Sequence, residues 1–150
     1  GIDMEMQEML KKLRENNNLT QEQMAERLMV TRQAVSRWEN GETQPNTETL
    51  KLLSREFNVS INTLLGSPRQ LICQCCGMPL NEDSIISREK DGSYNEDYCK
   101  WCYAEGEFAY KSKEGLLDYL VGNMPNPENL KDEERRSQFD SYLSQLKHWK

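Results

Sequence analysis

The chain has 150 residues, of which 36% are apolar and 29% charged, with a net charge of −6. That is enough for one medium domain or two small ones. It contains no run close to the ~20 apolar residues of a membrane span and no apolar leader for secretion, and its acidity excludes a generally basic nucleic-acid coat. It opens Gly-Ile-Asp with no methionine, so Gly1 reads as a cloning scar. A first helix is expected over about Met6–Asn16, where Met6, Met9, Leu10 and Leu13 recur at the spacing of an amphipathic stripe. Asn16, Asn17 and Asn18 end it.

Residues 20–41 read as two short helices joined by a tight turn. Thr20 is a good N-cap with Gln23 three residues on, the signature of a capping box. The second helix, about Gln21–Leu28, places Met24, Ala25 and Leu28 on one face, and Ala25 is small where two steeply crossing helices must touch. Met29 and Val30 make the turn. Thr31 caps a third helix, about Arg32–Asn40, with Ala34, Val35 and Trp38 inward and Gly41 as the left-handed residue that ends it. Its outward face is Arg32, Gln33, Ser36 and Arg37, donors suited to phosphates and base edges. A purely structural helix more often shows mixed Glu and Lys there. Pro45 precedes a fourth helix, about Thr47–Phe57, that buries Leu50, Leu53 and Phe57 and stops at Asn58. Ser60 caps a short fifth helix, Ile61–Leu65, with Leu64 and Leu65 inward.

The pattern Gln21, Ala25, Leu28, Val30, Val35, Trp38, Glu39-Asn40-Gly41 and Pro45 resembles the lambda-repressor/Cro-like (Xre) family of bacterial and phage regulators, over about residues 6–66. Met29 departs from it, since the family often has Gly or Asn there, residues that accept positive φ. The resemblance implies a mainly α, five-helix DNA-binding domain whose third helix lies in the major groove of operator DNA. It implies that Arg32, Gln33 and Arg37 read bases, that Gln21, Thr31 and Asn40 hold phosphates, and that Ser36 serves either purpose. Related regulators work as homodimers on half-sites ~34 Å apart. The expected mode is repression, and the expected location the cytoplasm of a prokaryote, on the nucleoid.

Residues 1–66 hold 8 Lys/Arg against 10 Asp/Glu, and residues 67–150 hold 11 against 15, so binding has to rely on a local positive face such as that of Arg32 and Arg37. Gly66-Ser67-Pro68 breaks the helical pattern, and a linker is expected over 67–72. Beyond it Ser84–Glu89 has strand character, Asp91-Gly92 is a hairpin turn signal and Tyr94–Tyr98 reads as the returning strand. Leu116, Leu117, Leu120 and Val121 form one helical face. A last helix is expected over about Pro127–Lys147, with Phe139, Tyr142, Leu143 and Leu146 on one side, as a dimer surface or folded back on the ribbon.

Five cysteines with no export signal argue for metal or redox chemistry over structural disulfides. Cys73-x-x-Cys76 and Cys99-x-x-Cys102 are two knuckles with 22 residues between them, 77 through 98. Two-residue spacing lets both thiolates of a knuckle face one ion, and two knuckles make a tetrahedral four-thiolate shell, the arrangement of one structural zinc per chain. Iron takes the same ligands, and two disulfides are the bland alternative. Cys75 is a small side chain at a place where polarity is irrelevant or, in the sharper reading, a redox-sensitive thiol beside the metal; nothing basic flanks it to lower its pKa, which favours the first.

Residues 73–150 also resemble a family of zinc-ribbon domains found in bacterial proteins. The matching residues are Cys73-Gln74-Cys75-Cys76-Gly77-Met78-Pro79-Leu80, Asp91-Gly92-Ser93, Tyr98-Cys99, Cys102-Tyr103, Gly106, Phe108 and the ending Leu146-Lys147-His148-Trp149-Lys150. The fold expected for the second half is a small zinc-ribbon β-hairpin, residues 73–150, with C-terminal helices. Its metal ligands are Cys73, Cys76, Cys99 and Cys102. An enzyme is not expected: the one histidine is His148, and no nucleophile triad, phosphate loop or open metal site stands out. The alternative is a metal- or redox-responsive regulator whose cysteine cluster controls DNA binding or a partner protein. Tyr94, Tyr98, Trp101, Tyr103, Phe108 and Tyr110 read as core more readily than as a ligand box.

Overall fold

The computed structural model describes residues 5–66 and 70–150. The reading of Gly1 and half of the expected linker, 67–69, fall outside them. The chain divides into two compact units, 1–69 with 92–94 and 70–91 with 95–150.

The first unit is all helical: α1 Met6–Asn16, α2 Gln21–Leu28, α3 Arg32–Glu39, α4 Thr47–Phe57 and α5 Ile61–Leu64. Side-chain caps set the starts. The Thr20 hydroxyl accepts from Gln23 N at 3.1 Å and Gln23 Oε1 accepts from Thr20 N at 2.9 Å, which closes the capping box. Thr31 caps α3 and Ser60 caps α5 in the same way, while the carboxamide of Asn46, not the ring of Pro45, opens α4. The ends use positive φ: Met29 at 56°, Asn58 at 54° and Gly41 at 78°. The α3 helix is one residue shorter than expected, because Asn40 is its C-cap. Leu10, Met24, Ala25, Leu28, Val35, Trp38, Leu53 and Leu64 make one buried cluster.

In the second unit, Ile72 bridges Pro79 around the first knuckle. A 3-10 turn at Asp83–Ile85 takes the first two residues of the expected strand Ser84–Glu89, leaving β1 as Ile86–Arg88 beside β2, Tyr94–Cys99. A second hairpin was not anticipated: β3 Tyr103–Ala104 and β4 Glu107–Phe108, antiparallel with Tyr103 opposite Phe108, turning through Glu105 and Gly106 at positive φ. Helix α6, Lys113–Asn123, buries Leu116, Leu117 and Leu120.

The last helix, α7, spans Asp132–Leu143 and not Pro127–Lys147. It starts late because the Asn126 side chain clasps Leu130, accepting from its N at 3.0 Å and donating to its O at 2.8 Å, around Asn129 at φ 55°. Buried Arg135 then donates to Val121 O and Met124 O at 2.8 Å and to Pro125 O at 3.1 Å, satisfying carbonyls at and beyond the end of α6. Leu143 and Leu146 are 0% and 4% exposed, so the apolar stripe of α7 is folded onto its own unit, and Tyr142 stands 42% exposed.

Candidate DNA-reading face and metal centre

Helix α3 crosses α2 where Ala25 is 3% exposed, and Val35 and Trp38 anchor it in the core. That leaves Arg32, Gln33 and Arg37 exposed, with Ser36 half-buried between them. Among the described residues neither arginine has an acidic partner. Thr31 and Asn40 are exposed at the two ends of α3, although the Thr31 hydroxyl is occupied as a cap at 3.1 Å from Ala34 N. Gln21 is half-buried, and its amide nitrogen points at Glu39 Oε1 at 3.4 Å.

That contact belongs to a network which sequence reading missed. Arg14 of α1 grips Glu39 with two bonds, Nε to Oε2 at 2.7 Å and a terminal nitrogen to Oε1 at 2.9 Å, and its other terminal nitrogen donates to Leu19 O at 2.8 Å. The bond to Glu39 raises the Arg14 pKa above its ordinary value, so the guanidinium stays charged. It fixes the end of α3 against α1. The pairing links residues 25 apart, and no local pattern signals it.

The metal centre is built by two turns. Cys73 O accepts from Gly77 N at 2.8 Å, and Cys73 Sγ accepts from Cys75 N at 3.4 Å and Cys76 N at 3.5 Å. Gly77 is at φ +81°, and a Cβ there would strike the Tyr142 ring, 2.8 Å from its hydroxyl oxygen. In the second turn Cys102 N donates to Cys99 O at 3.2 Å and Lys100 N to Ile85 O at 2.9 Å.

The four sulfurs of Cys73, Cys76, Cys99 and Cys102 lie within 4.8 Å of one another. The Cys76 and Cys99 sulfurs are 3.9 Å apart. A metal–sulfur bond of ~2.3 Å puts the edge of a tetrahedron at about 3.8 Å. A disulfide would need ~2.05 Å, and all five cysteines are free. Such crowding couples the thiols: a hydrogen bond from Cys102 draws Cys73 far below the ordinary thiol range, and the same contact pushes Cys102 far above it. A soft cation relieves that conflict by taking four thiolates at once. The donor set therefore fits a metal site. Cys75 is 0% exposed and stands outside the cluster.

Residues 147–149 dock on the first knuckle. Trp149 Nε1 donates to Cys75 O at 2.7 Å, His148 N to Gln74 O at 3.0 Å and Lys147 N to Gln74 Oε1 at 3.1 Å. The exposed Lys147 ammonium meets Asp97 at 2.7 Å, and that hydrogen bond raises its pKa. His148 packs at a tilt against Phe108 at 4.2 Å and edge-on against Trp149 at 4.4 Å.

Comparison with known proteins agrees with this two-part architecture. Residues 72–150 match the family model described as "Putative zinc ribbon domain", and residues 10–64 match the one described as "Helix-turn-helix". The chain is 34% identical over 92 residues to the uncharacterized HTH-type transcriptional regulator YqaE of Bacillus subtilis, covering 60% of this chain and 79% of YqaE. The chain belongs to the zinc-ribbon family and carries an amino-terminal helix-turn-helix.

The chain is also 53% identical over 63 residues to the HTH-type transcriptional activator BcrR of Enterococcus faecalis, covering 42% of this chain. It spans 31% of BcrR's length. A solved transcriptional regulator from Listeria innocua aligns with a TM-score of 0.42 and 33% identity, covering 47% of this chain and 65% of that one. Among the described residues no helix is long and apolar enough to cross a membrane.

Proposed function

We propose that this chain is a sequence-specific transcription regulator that binds double-stranded operator DNA as a homodimer through α3. The observation that carries the reading is the run of exposed donors Arg32, Gln33 and Arg37, unpaired among the described residues, on a helix whose other face is locked in the core. Arg and Gln offer the paired donors and acceptors that match base edges in the major groove. Thr31 and Asn40 hold phosphates at the ends of α3. Gln21 does so through the side of its amide turned away from Glu39, and Ser36 supports either kind of contact. Repression is the mode we favour, because occupying a promoter is sufficient for it; the relative named an activator matches over 31% of its own length. The place of action is the cytoplasm, on the nucleoid.

In a gel-shift assay Arg37→Ala should lose ~1–3 kcal/mol and relax one base position. The pair Arg32→Ala and Arg37→Ala binding the operator like the parent would sink the assignment of α3. Light scattering with operator present should give two chains per site; one chain per site would end the dimer.

The metal is zinc, one per chain, and its role is structural. Four thiolates fill a tetrahedral shell and leave no position for water or substrate, so we assign no enzymatic step. Elemental analysis should give one zinc per chain; iron, or less than one equivalent of metal, would overturn this. The ribbon unit is also the part that a protein partner would contact.

A further inference from the structure

We propose that Cys76 is the reactive sulfur of the metal centre. A peroxide attacks there, Cys76 and Cys99 close a disulfide, the ion leaves, and the carboxy-terminal segment undocks. The inference rests on the metal reading above and adds a modification site to it.

Cys73, Cys99 and Cys102 are 0%, 1% and 2% exposed. Cys76 is the one of the four cysteines that is partly exposed, so the cluster is approached from solvent on its side. Cys75, its neighbour in sequence, is 0% exposed and is no competitor. The Cys99 sulfur waits 3.9 Å from that of Cys76, and a disulfide needs them to close by about 2 Å.

The chemistry balances. The Cys76 thiolate attacks one peroxide oxygen, the O–O bond breaks, and a sulfenic acid and one hydroxide form. The Cys99 thiolate then attacks the Cys76 sulfur, the S–O bond breaks, and a second hydroxide leaves. Two electrons pass from the two sulfurs to the peroxide. The ion keeps Cys73 and Cys102, half its donors and half its compensating charge, and is lost to solvent.

The consequence reaches the chain's end because the residues around Cys76 hold it. Gln74 accepts from His148 N and Lys147 N, Cys75 O from Trp149 Nε1, and Gly77 O from the Tyr142 hydroxyl at 3.3 Å. The knuckle that aligns these acceptors is itself held by the Cys73 sulfur. Pulling Cys76 across to Cys99 and emptying the shell removes that alignment.

The test uses the full chain loaded with zinc and treated with hydrogen peroxide. Zinc should appear in a colorimetric chelator, peptide mapping should find a Cys76–Cys99 disulfide, and hydrogen exchange should rise at residues 142–149. Cys76→His keeps an imidazole ligand but no sulfur, and should slow zinc release at least ~10-fold; Cys75→Ser should release zinc like the parent. If Cys76→His does not hold zinc, the disulfide map of the parent decides. A disulfide between any other pair, zinc retained under peroxide, or release that depends on Cys75 overturns the proposal and leaves the metal reading standing. A chain that takes up no stoichiometric zinc overturns both.

Discussion

The amino-terminal unit buries Met24, Val35, Leu53 and Leu64 in one apolar cluster, whereas the ribbon unit gives four of its most buried positions to Cys73, Cys75, Cys99 and Cys102. The first starts four of its helices on side-chain caps and needs no staple. The second has strands of two to six residues, far too little ladder to stand alone. Its turns are shaped to present sulfur, and its last residues are spent covering the first knuckle. A small apolar core and a metal shell are alternative sources of the same cohesion, and they fail under different insults.

Metal removal separates them most sharply. Binding energy of ~10–16 kcal/mol is folding energy in a structural zinc unit. A strong chelator should melt 70–150 and leave α1–α5 helical, read as two separate sets of signals by hydrogen exchange. Loss of protection in α2 and α4 on chelation would show that the units share their stability.

The converse cut is Arg14→Met. The Arg14 and Glu39 side chains are 14% and 4% exposed, so removing the guanidinium strands a buried carboxylate. Breaking such a pair from one side costs ~3–5 kcal/mol. The amino-terminal denaturation midpoint should fall by that much, the ribbon's should stay, and Glu39→Gln in the same chain should recover most of the loss. A loss below ~1 kcal/mol would mean the pair is solvated in practice, as surface pairs are.

How much was legible in the sequence follows the same division. The helix starts at Gln21, Arg32 and Ile61 were readable because each follows a Thr or Ser cap, a signal confined to four residues, whereas the start at Thr47 was placed by Pro45 and the Asn46 cap went unread. The clustering of Cys73, Cys76, Cys99 and Cys102 was readable from spacing alone. The hairpin from Tyr103 to Phe108 was not, since two-residue strands carry no periodicity; Glu105-Gly106 was its sole local mark. The start of α7 was misplaced because Pro127 resembles a first-turn proline, while the Asn126 clasp that delays the helix looks like ordinary loop composition. The Arg14–Glu39 pair and the docked end of the chain join residues 25 and 74 apart, which no window sees.

Trp149→Phe sharpens the account of that docked end. It keeps the aromatic packing and deletes the bond to Cys75 O. A net hydrogen bond is worth ~0.5–1.5 kcal/mol, so the zinc-loaded ribbon should lose that much and the amino-terminal unit nothing. No change in the ribbon's midpoint would mean that packing alone holds the segment.

The smallest effect should have the opposite sign. Met29 ends α2 at φ 56° and ψ 42°, and its N–H still closes the helix by bonding Ala25 O and Glu26 O. The left-handed conformation costs a non-glycine residue ~1–2 kcal/mol. Asn58 ends α4 the same way at φ 54°, with a side chain that tolerates it. Met29 is 83% exposed, so little packing offsets its strain. Glycine there relieves the strain but frees the unfolded chain by up to ~1 kcal/mol. The balance predicts that Met29→Gly stabilises the amino-terminal unit by ~0.5–1 kcal/mol, with the ribbon's midpoint unmoved. Met29→Asn should gain a similar amount without the glycine entropy. If both variants lowered the amino-terminal midpoint, the methionine side chain would have to make contacts that outweigh the strain of its backbone.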